Sequence, residues 1–363
     1  MKLQVTQENL TKALSSVARV ASSRGTLPIL SNVLLKVVDG RLSIAATNLD
    51  IGITHYIGAK VSEEGAITVP AKLMQDFVGS LPSGVIDLTL EDSKLRIVTD
   101  KYQSVINGVS AEDYPVMPAI EDGQTWNVPA RDLKLALQQV IVAASNDEAR
   151  PVLTGVYWHT HEGALYLAAT DSYRLAEKAL MKTAQEMKLL IPASSLNDLL
   201  RVLGDAEEDV AVTFDEQQVL FRVNDVELVT RLIEGNYPDY RRLIPSAFAT
   251  SVVLKKSDFV NITKVSSLFA RESAGSVTIN LEEANQTVSI RSIASQIGEN
   301  TASANGSVTG DGTITLNSRY ILDALHGVSS DEVLFGFNGK LEPTVLRDPK
   351  SGDYTHVIMP LKS

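Results

Sequence analysis

Apolar residues recur every three or four positions in six short stretches of this chain, and on alternate positions in many of the stretches between. The first period marks one face of a helix and the second one face of a strand. Leu10, Leu14, Val17 and Val20 form one helical stripe, and Leu133, Leu137, Val140 and Ala144 form a second. Phe259, Ile262, Val265 and Phe269 form a third. Thr6 and Ser257 stand where a hydroxyl accepts a free amide of the first helical turn. Further helices are expected near residues 72–81, 194–203 and 318–327, with Gly204 and Gly327 near ends where a left-handed cap is common. Alternating runs meet at Asp39-Gly40, at Glu162-Gly163 and near Ala284-Asn285, which reads as three hairpins. Later pairs, residues 85–90 with 94–99 and 210–214 with 218–223, add more strands.

The same order of helix, hairpin, helix and strands occurs three times. Leu3, Val128 and Val253 hold matching places, a period of roughly 125 residues, well beyond the ~20–50 of solenoids and propellers. Thr68-Val69-Pro70, Leu190-Ile191-Pro192 and Thr315-Leu316-Asn317 precede the second helix of each copy, and Asp113-Tyr114-Pro115 and Asn236-Tyr237-Pro238 close the first two. The expected domains are residues 1–121, 124–246 and 250–363, joined by short junctions around 118–123 and 245–247. Each is large enough for its own core. The expected class is α+β, with two helices laid on antiparallel sheet in every domain. Three equivalent domains and little else suit a scaffold better than a single-pocket enzyme.

Composition narrows the chemistry. Hydrophobic content of 44% and charged content of 21% are those of a globular protein. The chain has no cysteine, which excludes disulfides, thiolate metal sites and cysteine nucleophiles. MKLQVTQENL lacks the apolar core of a signal peptide, and no apolar run approaches the ~18 residues of a membrane span. A soluble, cytoplasmic protein is expected. Net charge is −11, which by itself argues against a polyanionic partner. The distribution matters more than the sum. Lys12 and Arg19, Arg131 and Lys134, and Lys264 with Arg271 fall opposite the apolar stripes of the first helices; Lys72, Arg201 and Arg319 fall on the second helices. Acidic residues gather in turns, such as Glu63-Glu64 and Glu207-Glu208-Asp209, although Asp76, Asp198 and Asp323 lie on the second helices. One basic helix means nothing. Six of them suggest a mildly positive face that attracts phosphate, each contact adding a salt slope of only ~0.9.

Two rival readings follow from the residues. His159-Thr160-His161 puts two imidazoles on one strand face, a spacing that suits zinc, but two histidines beside a hairpin turn are expected to be exposed strand residues. No phosphate-binding glycine loop, nucleophile elbow or HExxH helix occurs, and no metal or cofactor is expected. A three-domain scaffold without DNA explains the repeat but not the basic faces.

The chain resembles the bacterial sliding clamp family, the beta subunits of DNA polymerase III, over essentially its whole length. The resemblance rests on Arg24-Gly25-Thr26-Leu27-Pro28-Ile29-Leu30, on Ala169-Thr170-Asp171-Ser172-Tyr173-Arg174-Leu175-Ala176 and on Tyr237-Pro238-Asp239-Tyr240-Arg241-Arg242-Leu243-Ile244-Pro245. Ser267-Leu268-Phe269-Ala270-Arg271 and Val357-Ile358-Met359-Pro360-Leu361 complete it, in family order and spacing. It implies a non-catalytic processivity factor: a head-to-tail homodimer closed into a ring around double-stranded DNA, its helices lining the hole. The implied partners are the replicative polymerase alpha subunit, the clamp loader complex, and other polymerases and repair proteins, with a nucleoid-associated location.

Those partners use a short peptide of the Gln-x-x-Leu-Phe kind. Carried over by position, its apolar cleft takes Leu153, Thr170, Ser172, Tyr173, Arg174 and Leu175 from copy two. Pro238, Arg242 and Leu243 add rim and floor, and copy three adds Leu341, Pro343, Val357, Met359, Pro360 and Leu361. Arg174 and Arg242 are expected to hold polar groups of the peptide. Ser172-Tyr173 replaces the Gly-His often found in the family, and Pro151 and Val152 stand where some members present tyrosines to DNA. Arg24 matches a family DNA-contact loop; Lys12, Lys72, Arg131, Lys134, Arg201, Lys264 and Arg271 are duplex contacts by charge and position. An edge strand of copy one is expected to meet one of copy three across the subunit junction, with Ile106, Leu268 and Phe269 as its apolar contacts.

Overall fold

Copy one opens with β1 (Lys2–Thr6), α1 (Gln7–Val17), β2 (Asn32–Val38), β3 (Arg41–Thr47) and β4 (Ile51–Gly58). It continues with β5 (Lys60–Glu63), β6 (Ala66–Pro70), α2 (Ala71–Ser80), β7 (Val85–Glu91), β8 (Lys94–Val98) and β9 (Gln103–Asn107). Copy two holds β10 (Gln124–Pro129), α3 (Ala130–Val140), β11 (Gly155–His161), β12 (Ala164–Thr170) and β13 (Arg174–Lys182). Then come β14 (Lys188–Pro192), α4 (Ala193–Leu203), β15 (Asp209–Phe214), β16 (Gln218–Val223) and β17 (Val226–Arg231). Copy three begins with β18 (Thr250–Lys255), α5 (Lys256–Phe269), β19 (Ser276–Glu282), β20 (Thr287–Ala294) and β21 (Gly298–Asn305). It ends with β22 (Ser307–Thr309), β23 (Gly312–Asn317), α6 (Ser318–Gly327), β24 (Glu332–Phe337), β25 (Thr344–Arg347) and β26 (Tyr354–Ile358). This computed structural model describes residues 1–21, 27–115, 119–294 and 298–361.

The sheets cut across the repeat. One compact unit, Met1–Arg131 with Asn197–Leu232, contains a sheet of order β5-β1-β7-β8-β9 and a wider one of order β10-β15-β16-β17-β4-β3-β2-β6. The other, Asp132–Leu196 with Ile233–Ser363, contains β14-β11-β12-β13-β26-β25-β24-β18-β22 and a smaller sheet, β21-β20-β19-β23. Each wide sheet therefore joins two neighbouring copies, through β17 against β4 and β26 against β13, both antiparallel. The registers correspond: Thr230 stands opposite Ile51, and Ile358 opposite Arg174.

Local chemistry accounts for these elements. Alternating burial of Ile86 and Leu88, then Leu95 and Ile97, gives β7 and β8 one apolar face. Asp39 and Gly40, like Glu162 and Gly163, have positive φ, as a two-residue hairpin turn of matching twist requires. Thr6 caps α1 by accepting from the Asn9 amide at 3.4 Å.

Several expectations need correction. Val20 and Ala144 lie beyond the ends of α1 and α3. Ser257 does not cap α5, which starts at Lys256, and its hydroxyl bonds Asp258 instead. Val265 is exposed. The inner face of α5 uses Thr263 and Ser266, whose hydroxyls reach the carbonyls of Phe259 and Ile290, so their burial leaves no orphan donor. Gly204 does adopt left-handed φ, +41°. Gly327 does not: it lies inside α6, where a Cβ would fall 2.2 Å from the Tyr354 hydroxyl.

Candidate functional site

The carried-over cleft residues all fall in the second unit, around the junction of β13 and β26. The turn into β13 is built by its own side chains. Thr170 Oγ1 donates to the Arg174 carbonyl at 2.6 Å and accepts from the Ser172 amide at 3.1 Å. Asp171 Oδ1 accepts from the amides of Tyr173 and Arg174, both at 2.9 Å. The turn drives Ser172 to φ +78°, a conformation that suits glycine, and Arg150 Nη1 donates to its hydroxyl at 2.9 Å. Tyr173 is thereby thrown outward, 60% exposed. Its carbonyl accepts from the Met359 amide at 2.8 Å, which lays the segment after β26 alongside the turn. The Leu361 amide then bonds the Thr315 carbonyl at 2.9 Å, so this segment is docked.

Beneath these groups Leu175 pairs with Val357, and both join a buried cluster with Ala168, Tyr240 and Val345. Leu153 is buried as well, and Thr170 nearly so. Met359, Pro360, Leu361 and Pro343 are half-buried, Pro238 is exposed, and Leu243 and Leu341 present large exposed apolar surface. Tyr157, Tyr237, Ile244 and Phe248 pack against this buried cluster, while Tyr173, Leu243 and Leu341 are exposed apolar side chains of the same unit, surface of the kind that accepts a small hydrophobic anchor.

The two arginines differ. Arg242 is open to solvent, its Nε held 2.6 Å from Asp239, and is free to meet a ligand. Arg174 is 9% exposed and committed to the protein: Nε lies 3.1 Å from Asp171, Nη1 lies 2.5 Å from Asp323 of α6, and its guanidinium sits 4.4 Å above the Tyr320 ring. It braces the wall and does not offer those donors outward.

A buried network that the sequence did not disclose holds the 237–243 segment. Tyr240 donates to Glu177 Oε2, so the His159 Nε2 at 2.6 Å must donate to the Tyr240 oxygen. Arg241 lies 3.0 Å from the same carboxylate and 4.2 Å over the Tyr166 ring. Tyr157 stacks between His159 at 4.7 Å and Tyr237 at 4.9 Å. Burial pulls the His159 pKa down to about 4 and pushes the Tyr240 hydroxyl up. His159 is therefore a buried, neutral strut and not the exposed strand residue expected. Among the described residues no group of histidine, aspartate and glutamate is arranged to hold a metal ion.

The basic residues are less gathered. Lys12, Lys72, Arg131, Arg201, Lys264 and Arg271 are exposed and Lys134 is half-buried; Arg24 lies outside the described residues. Lys12 and Arg201 line one groove. Two of the three acidic exceptions on the second helices have structural partners, Asp198 in Arg201 at 2.6 Å and Asp323 in Arg174. At the candidate junction, Ile106 is 6% exposed because it faces the core of its own sheet; Val105, at 53%, and Tyr102 point outward instead. Leu268 is exposed and Phe269 half-buried.

Repeated helix-on-sheet domains that share sheets from copy to copy define the fold class of the DNA clamps. Three family models match in succession: the N-terminal domain of DNA polymerase III beta subunit over residues 1–118, its central domain over 127–239 and its C-terminal domain over 241–362. The chain is 30% identical to the beta sliding clamp of Bacillus subtilis (strain 168), covering 100% of both. Its fold is similar to the crystal structure of the Bacillus subtilis DNA polymerase sliding clamp, with a TM-score of 0.96 at 28% identity over 100% of this chain and 99% of that one. The Bartonella birtlesii sliding clamp bound to griselimycin matches with a TM-score of 0.94 at 28% identity over 100% of both chains. The chain belongs to the DNA polymerase III beta subunit family. Its function is that of a sliding clamp, a processivity factor and not an enzyme.

Proposed function

We propose that two copies of this chain close head to tail into a ring around duplex DNA. One observation carries the reading. Wherever two copies of the repeat adjoin within the chain, the last hairpin strand of one pairs with the third strand of the other's helix-crossing sheet, as β17 does with β4 and β26 with β13. The repeat leaves one such pair incomplete: β9 is the counterpart of β17 and β26, and β21 the counterpart of β4 and β13. Both are outer strands of their sheets. A β9–β21 junction between subunits follows the same rule, and open edges of this kind invite pairing. Exposed Tyr102, Val105, Leu268 and Ile293 supply apolar surface for it, in place of the buried Ile106. Sedimentation at micromolar concentration tests this reading: a species of twice the chain mass is expected, and a strict monomer contradicts it.

The domains are proposed to run over residues 1–121, 124–246 and 250–363. Lys12, Lys72, Arg131, Lys134, Arg201, Lys264 and Arg271, with Arg24, are proposed to face the duplex and contact its phosphates without reading bases. The patch around Leu175 and Val357 is proposed to take the clamp-binding peptides of the polymerase alpha subunit, the clamp loader and other polymerases and repair proteins. Its anchor side chain would lie among Tyr173, Leu243 and Leu341, with Arg242 meeting its polar groups. A cytoplasmic, nucleoid-associated protein fits this role.

A further inference from the structure

The turn that presents Tyr173 is held from outside as well as by its own side chains. Arg150 precedes the short helical turn Pro151–Thr154. Its Nε lies 3.0 Å from Asp147 Oδ2, and its Nη1 donates to the Ser172 hydroxyl at 2.9 Å. A guanidinium has donors only, so the serine oxygen accepts and the direction of this bond is fixed. Asp147 is itself anchored: its amide donates to Ser145 Oγ at 3.0 Å, and its Oδ1 accepts from the Ala149 amide at 3.1 Å. Asp147, Arg150 and Ser172 thus form a latch on the residue that the turn drives to φ +78°. A residue with a Cβ is uncommon in that region.

The same turn occurs once more without the latch. Leu49, at φ +80°, stands in the place of Ser172, and Leu27, ahead of the short helical turn Pro28–Ser31, stands in the place of Arg150. The two backbones agree. The Arg231 amide reaches the Asp50 carbonyl at 3.0 Å, as the Met359 amide reaches that of Tyr173 at 2.8 Å. A leucine side chain has no polar atom, so the left-handed turn forms there without a polar prop. The fold does not require one. The latch belongs to the copy whose turn leads into Leu175 and lies along Val357 and Met359.

We propose that Arg150 is a positioning residue for peptide binding: it holds Ser172, and so fixes Tyr173 and the Met359 segment in the arrangement the peptide meets. The proposal rests on the reading of this patch as the peptide site. It adds a residue that acts through Ser172 instead of touching the ligand.

Binding of a labelled Gln-x-x-Leu-Phe peptide to the full-length protein, followed by fluorescence anisotropy, tests it. Arg150→Ala should weaken binding about three- to ten-fold, the size of one hydrogen bond, mainly through faster dissociation, with the denaturation midpoint kept. Ser172→Ala with Arg150→Ala should cost no more than Ser172→Ala alone, because the two residues act as one unit. In a Ser172→Gly background, where the left-handed turn needs no prop, adding Arg150→Ala should change nothing further. An unchanged affinity in Arg150→Ala, or an equal loss in the Ser172→Gly background, overturns the proposal while leaving the peptide site in place. A midpoint that falls in step with the affinity overturns it too, since the role would then be structural alone. A wild-type protein that binds no peptide overturns the proposal and the peptide site together.

Discussion

Tyr240 decides how firmly the cleft floor is held, because its hydroxyl is the meeting point of Glu177 and His159 in a site that water does not reach. Tyr240→Phe leaves a carboxylate and an imidazole without that partner, at a cost of about 1–3 kcal/mol. Chemical denaturation should register the loss. A Gln-x-x-Leu-Phe peptide followed by fluorescence anisotropy should also bind more weakly, through faster dissociation, since Leu243 and Arg242 ride on the released segment. Unchanged peptide kinetics would detach the network from the cleft. The buried histidines make a second prediction. His55 and His159 are lowered to about 4, and His356 to about 3, from an ordinary 6.5, by burial above all. Below about pH 6.5 the unfolded chain binds protons that the fold refuses, so their contribution is intact at neutral pH and is lost as pH falls toward 4. Each histidine removes about 1.4 kcal/mol per pH unit once the unfolded form is charged. The denaturation midpoint at pH 5 should lie clearly below that at pH 7.5; equal midpoints would mean that these rings are open to solvent.

At the scale of elements, repetition was what made the fold readable. The turn at Thr170 has a twin at Thr47: Thr47 Oγ1 donates to the Ile51 carbonyl, and Asn48 accepts from the amides of Asp50 and Ile51. Leu49 takes φ +80° where Ser172 takes +78°. Because strands and helices recur with such fidelity, the repeating order of elements could be inferred from spacing alone. Contacts between distant segments could not. His159 and Tyr240 are 81 residues apart, and no local pattern links them. Arg174 looked like a ligand-binding arginine because Asp323 lies 149 residues further on. Ile106 looked like an interface residue because apolar content marks a strand without telling which face is inward. For the proposed dimer, the equivalence of β9 with β26 and of β21 with β13 predicts a register in which Ile106 opposite the partner copy's Gly298 places Ser104 opposite its Asn300. The chain lacks cysteine, so Ser104→Cys with Asn300→Cys should give a disulfide-linked dimer under oxidation. Monomer alone after oxidation, with both thiols free, would refute this register.

At the scale of the molecule, the proposed function couples the charge pattern to ring closure. A net charge of −11 resists polyanions in general, while the basic residues on the helices are proposed to provide a few weak, interchangeable contacts. Each contributes a salt slope of only ~0.9, so affinity alone would not keep the protein on DNA at physiological salt. In the proposed ring, enclosure would supply persistence without tight binding, and weak contacts would then permit movement along the duplex. Gel filtration of protein loaded on a nicked circular plasmid at high salt, before and after linearisation, measures this directly. The account predicts co-elution with the circle and release as soon as the DNA has ends. Equal retention on both forms, or release from both, would contradict it.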